Sequence, residues 1–289
     1  MARHTIDGHT RTVGIFGDPI AHTRSPAMHN AAFQALGLPY VYLPFHVRPA
    51  DLVKAVHGVR ALGLLGLNVT VPHKERIVRC LDGLSPEAEL CGAVNTVVNQ
   101  DGQLFGDNTD GRGFLNSLQE AKLAPRGIEV VLIGAGGSAR AVLVSLIRAR
   151  CAVVRIVNRT QANARKLVRT YRRTGETRLE ALPLDALRDP TVVSGAGLVI
   201  NASAVGLHDD EFLPLAYTAT QASCLFYDLL YRPDRTPFLR HARAAGRPVM
   251  DGRRMLLHQG TLAFSLWTGR PAPLEVMDRA LQRALRQTA

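Results

Sequence analysis

The stretch VVLIGAGGSARAVLVSLIRA, residues 130–149, restricts the possible folds more than any other part of the chain. It opens with an apolar run too short for a helix, passes through Gly134, Gly136 and Gly137, and continues with helical periodicity. A strand that feeds a helix through such a turn is the first βα unit of a Rossmann domain. Gly134 permits the tight turn, and Gly136 lets the backbone approach a pyrophosphate. The helix start, with Ala135, Gly137 and Ser138 around it, supplies N–H donors and a partial positive charge. Ala139 occupies the third position of the glycine pattern and is small enough for close helix–strand packing. The alternative is a glycine-rich turn with no ligand.

The next apolar run, VVRIVN, ends in Asn158-Arg159-Thr160. A domain that prefers NAD usually carries an acidic residue there to hold the ribose hydroxyls. A guanidinium and a hydroxyl suit a phosphate instead, so NADP is expected ahead of NAD. Arg159 can also be read as one surface cation among thirty-one arginines. Asn201-Ala202-Ser203 follows the apolar LVI and offers either strand-end contacts to the cofactor or a plain polar loop.

A length of 289 residues exceeds a usual single domain and suggests two. Upstream of the Rossmann segment, strands are expected at Thr12 to Phe16, Val41 to His46 and Leu65 to Val69. Helices are expected at Pro26 to Leu36 and Asp51 to Ala61. Asp101-Gly102 marks a hairpin. The expected fold is α/β: an N-terminal substrate domain with a mostly parallel sheet, a Rossmann domain, and C-terminal helices (Arg253 to Trp267, Leu274 to Arg286) packing back on the first domain. The expected boundaries are 1–109 with 253–289 for the substrate domain and 110–252 for the dinucleotide domain.

No apolar run is long enough for a membrane span and the start shows no long leader-like apolar region, so a cytoplasmic protein is expected. Cys80, Cys91, Cys151 and Cys224 have no metal-site or disulfide spacing and read as free thiols, so no metal is expected. The net charge of +11 is carried by scattered arginines without aromatic interleaving, which argues against nucleic acid and for a basic surface that attracts small anions.

Polar residues in the first domain fall in two strings. In GDPIAHTRSPAMHNAAF, Thr23 and Ser25 precede a helix opening at Pro26, where hydroxyls either cap the helix or join its terminus in gripping a carboxylate. In GLNVTVPHKE, a strand ends in Asn68, Thr70, His73 and Lys74. The chain holds only four lysines, and lysine, unlike arginine, can give up its proton near neutral pH when its environment lowers its pKa.

These strings, with GAVNTV, GDNTDG, GAGGSAR, NRT, YDLLYRPDRTPFL and DGRRMLLHQG in that order, resemble the shikimate/quinate dehydrogenase family nearly end to end. The resemblance implies reversible, NADP-linked interconversion of 3-dehydroshikimate and shikimate within aromatic amino-acid biosynthesis, the chorismate pathway. It implies Lys74 and Asp110 as the catalytic pair. Asn95 and Asn68 would hold ring hydroxyls with help from Thr70, and Thr23 and Ser25 would bind the carboxylate. Gln259 would close the site and Tyr231 would face the substrate, while Gly252 and Met255 would stand near the nicotinamide. The partners implied are small molecules, with a monomer or homodimer as the assembly. Two positions depart from the family's pattern: Thr23 stands where a serine is usual, and Asn163 replaces a second arginine beyond the NRT string. They leave open a quinate-accepting, NAD-tolerant enzyme, and a silent binding protein of the same fold is the remaining alternative.

Overall fold

The computed structural model describes residues 6–207, 210–232 and 234–287, so the first residues of the start read above for a leader lie outside it. Two compact units make up the described chain. The first draws on Met1–Gly113 and Leu257–Ala289, the second on Phe114–Leu256. The chain passes from one to the other inside helices, so each division falls four residues beyond the boundary expected from the sequence.

The first unit runs β1 (Arg11–Gly17), α1 (Ser25–Ala35), β2 (Tyr40–His46), α2 (Leu52–Ala61), β3 (Gly66–Val69), β4 (Gly83–Leu84), α3 (Pro86–Cys91), β5 (Thr96–Gln100), β6 (Gln103–Asp107) and the start of α4 (Asp110–Glu120). Its sheet has the order β2-β1-β3-β5-β6-β4. β1 is parallel to β2 and β3, whereas β5 is antiparallel to both β3 and β6. The Asp101-Gly102 pair makes the hairpin turn between β5 and β6 with positive φ at both residues, 50° and 91°. Val56, Leu67, Ile77, Val97 and Leu104 are fully buried in its core.

The second unit contains β7 (Glu129–Ile133), α5 (Gly137–Arg148), β8 (Val153–Asn158), α6 (Gln161–Tyr171), β9 (Arg178–Pro183), α7 (Pro190–Val193), β10 (Ala196–Asn201), β11 (Leu225–Asp228), α8 (Pro237–Ala244) and β12 (Val249–Met250). Every pairing is parallel and the order is β12-β11-β10-β7-β8-β9. Counted from β7, this is the 3-2-1-4-5-6 order of a dinucleotide fold, with its reversal point between β7 and β10. The near-continuous apolar runs of β7 and β10 follow from helices covering both faces.

The last two helices are α9 (Arg253–Thr268) and α10 (Leu274–Arg286). From Leu257 onward they belong to the first unit, as expected: α10 packs on α1, and the Trp267 indole donates to the Val97 carbonyl at 2.9 Å. Among the described residues no helix is long and apolar enough to cross a membrane, and no group of three or more His, Cys, Asp or Glu could hold a metal ion. All four cysteines are free; Cys91, Cys151 and Cys224 are buried and Cys80 is half-buried.

Candidate active site

Strand direction gathers the polar residues of the first unit. β1, β3 and β6 point the same way and β5 runs against them, so the start of β5 lies beside the ends of β3 and β6. Asn68 on β3 is paired with Thr96 on β5, and Thr96 with Asp107 on β6. Lys74 follows β3, Asn95 precedes β5, and Asp110 opens α4. They stand in separate strings of the sequence; the sheet brings them to one end of its strands.

The Lys74 ammonium donates to Asp110 Oδ2 at 2.5 Å, with side-chain exposures of only 13% and 6%. The other carboxylate oxygen accepts from Asn95 Nδ2 at 2.7 Å. Asn95 Nδ2 also reaches Thr109 Oγ1 at 2.9 Å and Gln259 Oε1 at 3.3 Å, which ties α9 to the cluster. Two bonds on the Asp110 carboxylate from defined donors fix its plane as well as its position.

Asp110 is held from behind by residues that the sequence reading did not single out. The Asn108 side chain accepts from the Asp110 backbone N–H at 3.1 Å and donates to the Ala93 carbonyl at 2.9 Å. Asp107 accepts from Ser85 Oγ at 2.5 Å and pairs with Arg112. The signal was present in the density of short polar side chains in GDNTDG, where each can bond its own backbone neighbours.

Arg24, not Thr23 or Ser25, occupies the cap position of α1 and makes no capping side-chain bond. Thr23 Oγ1 instead accepts weakly from the Ser25 N–H at 3.4 Å, and Ser25 is buried. The simple capping reading therefore fails for both hydroxyls. Thr70 lies half-buried just beyond β3.

The glycine turn of the second unit has the features a dinucleotide requires. Gly134 has φ +117°, and a Cβ there would stand 2.7 Å from the Ala202 carbonyl oxygen. The close approach of the β7 and β10 ends at the reversal point thus demands glycine. Gly136 caps α5, and a Cβ there would project into open space, the room a pyrophosphate needs above the helix N-terminus. Ala135, Gly137 and Ser138 are half-buried around it, and Ala139 is fully buried beneath. Arg159 and Thr160 are exposed after β8, and Arg159 makes no ion pair among the described residues. The donor set fits a phosphorylated dinucleotide.

Asn201 is fully buried, and its amide is committed within the fold. It donates to Asp228 Oδ1 at 3.0 Å and to the Val205 carbonyl at 3.2 Å, and it accepts from Ser203 Oγ at 2.6 Å. Ala202 and Ser203 are half-buried beside it. Asp228 also accepts from Thr236 Oγ1 at 2.5 Å and the Leu230 N–H at 3.1 Å; burial pushes its pKa up to about 6, against the lowering effect of those bonds. Tyr231, half-buried, follows this carboxylate in the second unit, whereas the residues around Lys74 belong to the first. Gly252 precedes α9 where a Cβ would fall 2.1 Å from the Leu229 carbonyl oxygen, and Met255 is buried one turn on.

Comparison with known proteins agrees with this geometry. The family profile described as the shikimate dehydrogenase substrate binding domain matches residues 15–97. That of shikimate / quinate 5-dehydrogenase matches 118–207, and that of the shikimate 5'-dehydrogenase C-terminal domain matches 252–282. The chain is 43% identical over 287 residues to the shikimate dehydrogenase (NADP(+)) of Desulforamulus reducens, covering 98% of each. A Listeria monocytogenes shikimate 5-dehydrogenase solved with shikimate and NAD superposes with a TM-score of 0.89 at 36% identity, over 96% of this chain and 98% of that one. The Thermus thermophilus enzyme solved with NADP(H) and shikimate gives 0.84 at 39% identity, over 96% and 100%.

Proposed function

The chain belongs to the shikimate dehydrogenase family, and on that premise we propose that it catalyses the reversible, NADP-linked reduction of 3-dehydroshikimate to shikimate, in aromatic amino-acid biosynthesis. The first unit is the substrate domain and the second the dinucleotide domain. The observation that carries the reading is the buried Lys74–Asp110 pair at 2.5 Å, with Asn95 on the remaining carboxylate oxygen. A bound nicotinamide supplies or accepts the hydride. The chain's own task is the proton: an alcohol that loses hydride must also lose its hydroxyl proton, and a ketone that gains hydride must gain one. Lys74 Nζ holds that proton at the reacting oxygen, and Asp110 aims the ammonium.

Asn68 and Thr70 present amide and hydroxyl groups to the ring hydroxyls, Asn95, whose amide also holds Asp110, is assigned there on the resemblance of its string, and Gln259 closes on the same cluster from α9. Thr23 and Ser25, with the uncapped start of α1, receive the carboxylate. Tyr231 is assigned to the substrate and Gly252 and Met255 to the nicotinamide on the resemblance of their strings. Gly134 through Ala139, with Ala202 and Ser203, cradle the pyrophosphate, while Asn201 shapes the loop. Arg159, flanked by Asn158 and Thr160, takes the 2′-phosphate.

A second reading, an NAD-tolerant quinate/shikimate dehydrogenase, is favoured by Asn163 in the first turn of α6 and by the NAD in the Listeria relative. Steady-state kinetics of shikimate and quinate against NADP and NAD separate the two. Shikimate with NADP should dominate in kcat/KM; comparable turnover of quinate with NAD would establish the second reading, and no turnover of any pair would leave a binding protein.

A further inference from the structure

Asn68 is 4% exposed, and its amide orientation follows from chemistry. Nδ2 donates to the Asn95 backbone carbonyl at 3.1 Å and to Thr96 Oγ1 at 3.2 Å. A carbonyl only accepts, so the nitrogen must face Asn95 and the oxygen must face away. There Asn68 Oδ1 lies 2.7 Å from the hydroxyl of Tyr42, which must therefore donate. Both amide hydrogens and one of the two oxygen lone pairs are thus taken. What remains is a single acceptor site.

We propose that Tyr42 is a positioning residue which, by donating to Asn68 Oδ1, makes Asn68 an acceptor of fixed direction for one donating hydroxyl of the substrate. The proposal rests on the reading that Asn68 meets the substrate ring. Tyr42 itself touches no reacting group; it acts through Asn68.

The surroundings of Tyr42 hold its hydroxyl in place. Tyr42 is fully buried on β2, the edge strand of its sheet, and the Asn30 side chain of α1 stands in for a missing neighbouring strand. Asn30 Oδ1 accepts from the Tyr42 N–H at 2.8 Å and Nδ2 donates to its carbonyl at 3.0 Å. The phenol ring lies on His29 with centroids 4.5 Å apart and planes 11° apart, and Trp267 stands at 6.0 Å. His29 is fully buried, and burial pushes its pKa down to about 3, so it is a neutral aromatic plate. The His29-Asn30 pair of the SPAMHN string thereby has a use distinct from the carboxylate end of the same string.

The bonds beyond Asn68 continue in one sense. Thr96 Oγ1 donates to Asn95 Oδ1 at 3.0 Å, and that oxygen is identified by the Thr109 N–H donating to it at 2.8 Å. Asn95 Nδ2 then donates to Asp110 Oδ1. From Tyr42 to the carboxylate that holds Lys74, every bond runs donor to acceptor, an arrangement in which each bond polarises the next.

The test is a double-mutant cycle on the full-length enzyme. Tyr42→Phe removes one oxygen atom and keeps the ring. It should raise the KM for shikimate about tenfold, the factor expected for one hydrogen bond, with a smaller change in kcat and the KM for NADP within about twofold. Asn68→Ala should raise the same KM, and adding Tyr42→Phe to it should change nothing further. If the two effects multiply, Tyr42 acts independently of Asn68 and the proposal is overturned. If Asn68→Ala leaves the KM unchanged, the substrate-holding reading itself is wrong, an outcome distinct from the first. Should Tyr42→Phe not fold, shikimates with each ring hydroxyl replaced by fluorine, which cannot donate, test the acceptor directly. One position should lose at least tenfold in wild-type inhibition and lose nothing in Asn68→Ala; equal tolerance at every position would refute the fixed acceptor.

Discussion

Replacing Asp228 by asparagine should stabilise the protein at neutral pH, although it deletes a hydrogen-bonded carboxylate from the end of β11. The group is fully buried, and burial raises its pKa from 3.8 to about 6 despite the bonds from Thr236, Leu230 and Asn201. Because the folded value lies above the unfolded one, the unfolded chain releases this proton first as pH rises. Stability from this group is complete below about pH 4, falls between pH 4 and 6, and stays low above. The displacement corresponds to roughly 3 kcal/mol between those limits. Asparagine has the same shape and no charge. Its oxygen can accept from Leu230 N–H and Asn201 Nδ2, and its nitrogen can donate to Thr236 Oγ1, which must turn from donor to acceptor. That reorientation reduces the gain, leaving about 1–2 kcal/mol at neutral pH, or about 2–4 °C in Tm for each kcal/mol. Urea unfolding followed by far-UV circular dichroism at pH 4.5 and 7.5 measures it. The stability difference between variant and wild type should grow in the variant's favour from the lower pH to the higher. A difference independent of pH, or an Asp228→Asn variant less stable than wild type at pH 7.5, would show that burial does not raise the pKa of this carboxylate in the fold.

The remaining expectations concern the site. Lys74→Ala should lower kcat by at least about 100-fold while leaving the KM for NADP within a few-fold, and small alkylamines should restore part of the rate; a near-normal kcat with only a raised shikimate KM would make Lys74 a binding residue. Arg159→Ala should cost at least about tenfold in kcat/KM with NADP and almost nothing with NAD, while Asn163→Arg should widen the preference for NADP; equal losses for both cofactors would remove the phosphate role. Gly134→Ala places a methyl 2.7 Å from the Ala202 carbonyl at φ +117°, so calorimetric titration should show NADP binding lost with shikimate binding retained. Retention of full NADP affinity would count against the turn as the pyrophosphate site.

Periodicity and turn chemistry made the main elements legible. β7 and α5 were readable because a short apolar run, three glycines and a 3.6-residue pattern follow one another, and Asp101-Gly102 announced its hairpin because few other pairs accept two positive φ values. The division between units was harder to place, since α4 and α9 continue through it and helical periodicity carries no mark of which unit a turn joins. Lys74, Asp110 and Asn95 were reached through the strings they sit in, while their convergence depends on β5 running against β3 and β6, which no local pattern states. The role of Tyr42 is not legible in the sequence for another reason. A tyrosine on an alternating strand reads as core packing, and only the register that sets its hydroxyl against Asn68 distinguishes it from its neighbour Tyr40. Asn201 shows the converse: a strand-end amide in a suggestive place whose hydrogen bonds turn inward to Asp228 and the loop after β10.

The division of the first unit into two stretches of sequence has a consequence for its biosynthesis. The segment Phe114–Leu256 is contiguous and contains its whole six-stranded sheet, so it can fold as soon as it leaves the ribosome. The first unit cannot. Its β-sheet is made earlier, but Gln259, which meets Asn95, and Trp267, whose indole bonds Val97 and fills the niche left by Gly66, are translated only after the entire second unit. At translation rates of about 5–20 residues per second, the nascent sheet and α1 wait on the order of ten seconds for α9 and α10. That interval, more than the finished structure, is when this half of the molecule is open to chaperones and to misassembly.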